Sequence, residues 1–67
     1  MIREYWNAGK PGFVWALLDL CEENKDFLEK FADKYKSTSQ YFGSKGLVAL
    51  TFEVPAAKIP SSFTRID

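Results

Sequence analysis

A chain of 67 residues with no histidine and one cysteine excludes a Ser-His or Cys-His nucleophile, an intramolecular disulfide and a zinc site built from cysteine and histidine. Nine basic residues balance nine acidic ones to a formal net charge of zero, so no global field draws the chain to nucleic acid or to an anionic membrane. The length fits one domain, with residues 1–67 forming a single small unit.

Ordering each residue costs on the order of 1.5 kcal/mol, so a domain this short needs dense apolar packing or a partner. Aromatic residues make up 16% of the chain, which implies an aromatic core, or such a core together with an aromatic contact surface. Cys21 stands in an apolar run, where a thiol behaves as a small hydrophobe. The opening Met1-Ile2-Arg3-Glu4-Tyr5-Trp6 lacks the apolar stretch of a signal peptide, and the longest unbroken apolar run, 13–18, is too short to span a bilayer. A cytoplasmic protein with no membrane partner is expected.

In chain order, residues 2–6 alternate loosely, Ile2 and Trp6 to one side and Arg3 and Tyr5 to the other, as in a short edge strand. Residues 7–12 form a turn cluster in which Pro11 suits the first position of a helix, where its missing N–H goes unmissed. A helix is then predicted over about residues 12–36. At 100° per residue Phe13, Leu17, Leu20, Cys21, Asn24, Phe27, Leu28, Phe31 and Tyr35 share one face, with Val14 and Ala32 at its edge. Asp19, Glu22, Glu23, Asp26, Glu29, Lys30, Asp33 and Lys34 collect opposite.

Two residues break this pattern. Asn24 falls in the apolar face, either as a kink with Asn24 or Asp26 capping a second helix, or as a polar register residue in a continuous one. The unbroken apolar register favours continuity. Trp15 falls among Asp19, Glu22 and Asp33, where an exposed indole needs a cover, either from the segment holding Tyr5 and Trp6, from the tail with Phe63, or from a protein partner.

Beyond the polar connection 37–40, residues 47–54 are the clearest strand, with Val48, Leu50, Phe52 and Val54 on one face and Leu47, Ala49, Thr51 and Glu53 on the other. Residues 40–42 are its hairpin partner, and 63–66 a candidate further edge strand. The fold class expected is therefore α+β, one long amphipathic helix packed on a small antiparallel sheet.

Chemistry for catalysis is sparse. Gly9-Lys10-Pro11-Gly12 lacks the spacing of a phosphate-binding glycine loop, and the carboxylates Asp19, Glu22, Glu23 and Asp26 read as a solvated face and not as a cation cage. No catalytic residue, metal site or cofactor is assigned. The expected function is a non-enzymatic protein-binding factor, accessory or inhibitory, of the kind a phage or plasmid uses to modulate a host machine.

Its protein-binding anchors are Trp6, Trp15, Tyr41 and Phe42. The apolar helix arc is wider than a single hairpin covers, so a homodimer through Asn24, Phe27, Leu28 and Phe31 is also expected. The alternative is a nucleic-acid-binding module in which Lys34, Lys36 and Lys45 approach phosphates while Tyr41 and Phe42 stack on bases.

Overall fold

The computed structural model describes the backbone of every residue except Lys45, and the side chains of all but residues 38–42, 45 and 47. Among the described residues the elements are β1 (Arg3–Asn7), β2 (Phe13–Asp19), a 3-10 turn (Glu22–Asn24), helix α1 (Lys25–Lys34), β3 (Ser37–Gly43), β4 (Gly46–Pro55), a second 3-10 turn (Ala56–Lys58) and β5 (Thr64–Arg65). The chain is α+β, one helix packed on one small sheet. Strand order is β3-β4-β2-β1-β5; every pairing is antiparallel except β1 with β5, which makes the sheet mixed.

The expected strands at 2–6, 40–42, 47–54 and 63–66 correspond to β1, β3, β4 and β5, with β3 longer and β5 shorter than expected. The helix over 12–36 requires correction. Residues 13–19 are the central strand of the sheet, and the helix is the ten-residue α1. Six apolar residues in succession satisfy a helical and a strand period alike, so local pattern leaves the choice open. Pairing decides it: β2 lies between β1 and β4, which satisfy its backbone on both sides.

Pro11 is corrected with it. It opens no helix but sits in the β1–β2 connection, where Gly9 (φ 73°) and Gly12 (φ 79°) adopt the left-handed backbone that side chains disfavour. The Phe13 N–H donates to the Lys10 carbonyl at 3.1 Å and closes the turn.

One face of the sheet carries the core. Val14, Ala16 and Leu18 of β2 point inward, and Phe52 and Val54 of β4 join them from the register positions opposite. On α1, Phe27, Leu28 and Phe31 lie at helical spacing and lean on this surface, as do Tyr35, Ile59 and Phe63 from the segments after α1 and β4. Phe31 is the hub. Its ring lies 5.8 Å from both Tyr35 and Phe52, 6.0 Å from Phe63 and 6.2 Å from Phe27, centroid to centroid.

The bend between β2 and α1 falls at Asn24, and its cause is a buried polar knot. Asn24 is fully buried and makes no side-chain cap to the helix it precedes. Instead its Nδ2 donates to the Ile2 carbonyl at 2.9 Å, to the Asp19 carbonyl at 3.1 Å and to Asp19 Oδ1 at 2.6 Å. Arg3 Nε donates to Asn24 Oδ1 at 2.6 Å, while Arg3 Nη2 donates to the Glu23 carbonyl at 2.7 Å. A side chain committed to β1 and β2 ties the helix entry to the sheet, so the rod cannot run straight through it.

Asp19 is the anionic member of this knot. Desolvation pushes its carboxyl up, but donation from the Ile2 N–H at 2.7 Å, the Cys21 thiol and the amino-terminal charge outweigh that, and its pKa lies below the ordinary 3.8. A depressed carboxyl stabilises the fold above its unfolded pKa, and that contribution is lost as pH falls through the folded value. Acid titration followed by circular dichroism is expected to destabilise the native chain below about pH 4, and less steeply in Asp19→Asn. Asp67, held low by the Asn7 N–H and Arg65, titrates in the same window in both proteins, so the difference between the curves belongs to Asp19.

Candidate protein-binding face

The sheet has a second face. Strand alternation sends Glu4 and Trp6 of β1, Phe13, Trp15 and Leu17 of β2, and Thr51 and Glu53 of β4 away from the helix. The register sets Trp6 directly opposite Trp15 and Trp15 opposite Glu53, with Glu4, Leu17 and Thr51 forming the next row. Directly opposed residues on one face have Cβ atoms about 5 Å apart, so the two indoles form one broad apolar surface.

Trp6, Phe13, Trp15 and Leu17 are all half-buried, and none belongs to the aromatic core cluster. The helix and the tail occupy the other side. At one end Lys10 folds over the face, its Nζ 4.4 Å from the Phe13 ring centroid and 3.5 Å from Glu53 Oε1.

The expected surroundings of Trp15 are corrected by the strand. Asp33 is on α1, across the sheet, and what faces Trp15 is Trp6 and Glu53. The amino-terminal segment does meet Trp15, as an adjacent strand and not as a flap. Phe13 and Leu17, assigned to the apolar helix arc by period, belong instead to this outer face. Counting by two through 13, 15 and 17 would have found them.

Tyr41 and Phe42 lie on β3 opposite Ala49 and Leu47, and the side-chain part of that prediction lies outside the described residues. Lys45 lies wholly outside them. Lys34 and Lys36 are exposed and border a groove of about 570 Å³ with Tyr35 and Ser37, at the join of α1 and β3.

The four residues expected to meet a second copy do not form a surface. Asn24 is closed into its hydrogen-bond knot, Phe31 is 3% exposed, and Phe27 and Leu28 pack half-buried on the same core. Part of the expected apolar arc belongs to β2, Phe27, Leu28, Phe31 and Tyr35 pack on the chain's own sheet and tail, and Leu20 stays exposed.

Cys21 is a free thiol, partly buried, 3.4 Å from Asp19 Oδ1. Among the described residues no group of three or more His, Cys, Asp or Glu side chains is gathered as a metal set, and no helix is long and apolar enough to cross a membrane. In comparisons with known proteins, no family model, no curated protein and no solved structure matches this chain.

Proposed function

We propose that the chain is a non-enzymatic binding factor whose partner is another protein, engaged in the cytoplasm through the outer sheet face with Trp6 and Trp15 as anchors. The observation that carries this reading is the pairing of two half-buried tryptophans on the sheet face opposite the aromatic core cluster. Large rings held by strands lose little entropy on binding, and tryptophan is among the residues most enriched at energetic centres of interfaces. Glu4, in the row beside the indoles, suits a partner whose apolar contact carries a basic residue at its margin.

A regulatory role, accessory or inhibitory, fits a small chain that offers a contact surface and no catalytic set. A homodimer through Asn24, Phe27, Leu28 and Phe31 loses its rationale, since those side chains pack internally. A second copy would have to meet the tryptophan face instead.

Trp15→Thr tests the reading, because threonine keeps strand propensity while removing the ring. Affinity for a protein captured by the native chain is expected to fall about 30-fold, with a thermal midpoint lowered by only about 5 °C. Unchanged affinity beside a collapsed midpoint would make Trp15 a structural residue and end the proposal. Light scattering on the same two proteins reads whether the occupant is a second copy.

A further inference from the structure

Between one flank of α1 and the segment after β4 lies a cavity of about 130 Å³, lined by Phe27, Lys30, Phe31, Lys34, Tyr35, Lys58 and Pro60. Three of its seven lining residues are lysines, and none is acidic. They come from two elements far apart in sequence: Lys30 and Lys34 from successive turns of α1, Lys58 from the second 3-10 turn. Among the described residues the ion pairs are Met1 with Asp19, Lys10 with Glu53 and Arg65 with Asp67, so these three ammonium groups have no carboxylate partner.

Lys34, in the last helical turn, complements the carbonyl end of α1. Lys30 and Lys58 have no such role. Two lysines four residues apart on a helix repel one another, and folding the tail back adds a third cation to the pair. Asp26 precedes Lys30 by one turn and Asp33 lines the neighbouring groove, yet neither borders this cavity. A net charge of zero thus conceals a local cationic pocket with a floor of rings.

We propose that this cavity binds a phosphate group. Its volume is enough for one tetrahedral oxyanion and lies below the roughly 300 Å³ at which pockets begin to hold drug-sized ligands. Ammonium groups bind phosphate as mobile point charges with several donors each, and three of them around one oxyanion relieve their mutual repulsion. The phosphate belongs either to a small molecule or to a nucleic-acid strand, and the shared chemistry is the oxyanion.

The test is a titration of the isotope-labelled full chain with inorganic phosphate at constant ionic strength, following backbone amide resonances. Saturable shifts centred on Lys30, Lys34, Tyr35 and Lys58 are expected at millimolar phosphate. Lys34→Gln combined with Lys58→Gln is expected to weaken binding about tenfold, the loss of one charge-assisted contact or more. All the exchanged groups are exposed, so a native-like spectrum of the double variant checks that the fold survives. Shifts that never saturate, or that persist unchanged in the double variant, overturn the site.

Single-stranded oligonucleotides with and without a 5′-phosphate separate the sources. Preference for the phosphorylated strand marks a terminal monoester, equal binding marks the backbone, and binding of inorganic phosphate with neither strand marks a small free anion.

Discussion

Phe31→Ala is expected to leave the chain largely unfolded at 25 °C. Truncating a buried phenylalanine costs about 3–5 kcal/mol, from lost transfer energy and from the cavity left behind. A single core of this size supplies rarely more than about 3–5 kcal/mol in total. Phe31 is 3% exposed, and its ring touches the rings of α1, β4 and the tail, so one truncation uncouples three parts of the chain at once. Phe31→Leu, which keeps most of the volume, is expected to cost about 1.5 kcal/mol and remain folded. Urea denaturation of the pair checks both values. Equal stability of Phe31→Ala and the native chain would mean that the aromatic cluster does not hold the helix to the sheet.

Asn24→Ala is expected to cost about 2–4 kcal/mol, although it deletes only an amide. The loss is large because its partners stay buried or half-buried without it. Asp19 loses a 2.6 Å donor and Arg3 loses a 2.6 Å acceptor, while the carbonyls of Ile2 and Asp19 lose theirs. Buried groups stripped of hydrogen bonds incur their full desolvation penalty, and more when the group is charged. Asn24→Leu restores the volume but none of these bonds, and is expected to be no more stable than Asn24→Ala. Thermal unfolding of both variants decides whether polarity or packing matters here. A leucine variant as stable as the native chain would show that the knot contributes nothing.

Phe31 sits on the inner side of the sheet and Asn24 in the turn beyond the end of β2, whereas the proposed binding surface is the opposite face around Trp6 and Trp15. That separation has a functional consequence. Trp15 can be replaced without touching Phe31 or Asn24, so loss of partner binding and loss of fold are distinguishable in this protein. The phosphate cavity is separate again, bounded by α1 and the tail and not by the Trp6 and Trp15 face. A phosphate-bearing ligand and a protein partner therefore have no need to compete for the same side chains.

Much of the strand content was legible in the residues. β4 is written in alternation, with Leu50, Phe52 and Val54 turned to the core and Thr51 and Glu53 turned out, and β1 shows the same sidedness in Tyr5 and Trp6. The second half of the expected helix was legible too. Phe27, Leu28, Phe31 and Tyr35 keep helical spacing over a segment whose remaining residues are mostly charged, so only one period fits them.

The stretch 13–19 was not legible, because apolar residues fill every position from Phe13 to Leu18 and an unbroken run has no period. Its accidental agreement with the register of Phe27 and Phe31 produced the long rod. The change from helix to strand over 13–19 bears unevenly on the candidate sites. Trp6 and Trp15 are candidates with either period, but only the strand register sets them side by side, and the same register moves Phe13 and Leu17 to the outer face.

By itself the sequence determined the fold class, the sidedness of β1 and β4, the amphipathic helix after Asn24, and the lack of histidine chemistry. Each of these is a local property, fixed by residue type and by spacing over a few positions. Tertiary structure alone decided that β2 is a strand, that Asn24 is a knot between β1, β2 and the helix entry, and that three lysines meet around one cavity. Those outcomes depend on which segments become neighbours. Backbone pairing on both edges of β2, and the return of the tail across α1, are interactions between residues far apart in the chain that no local period encodes.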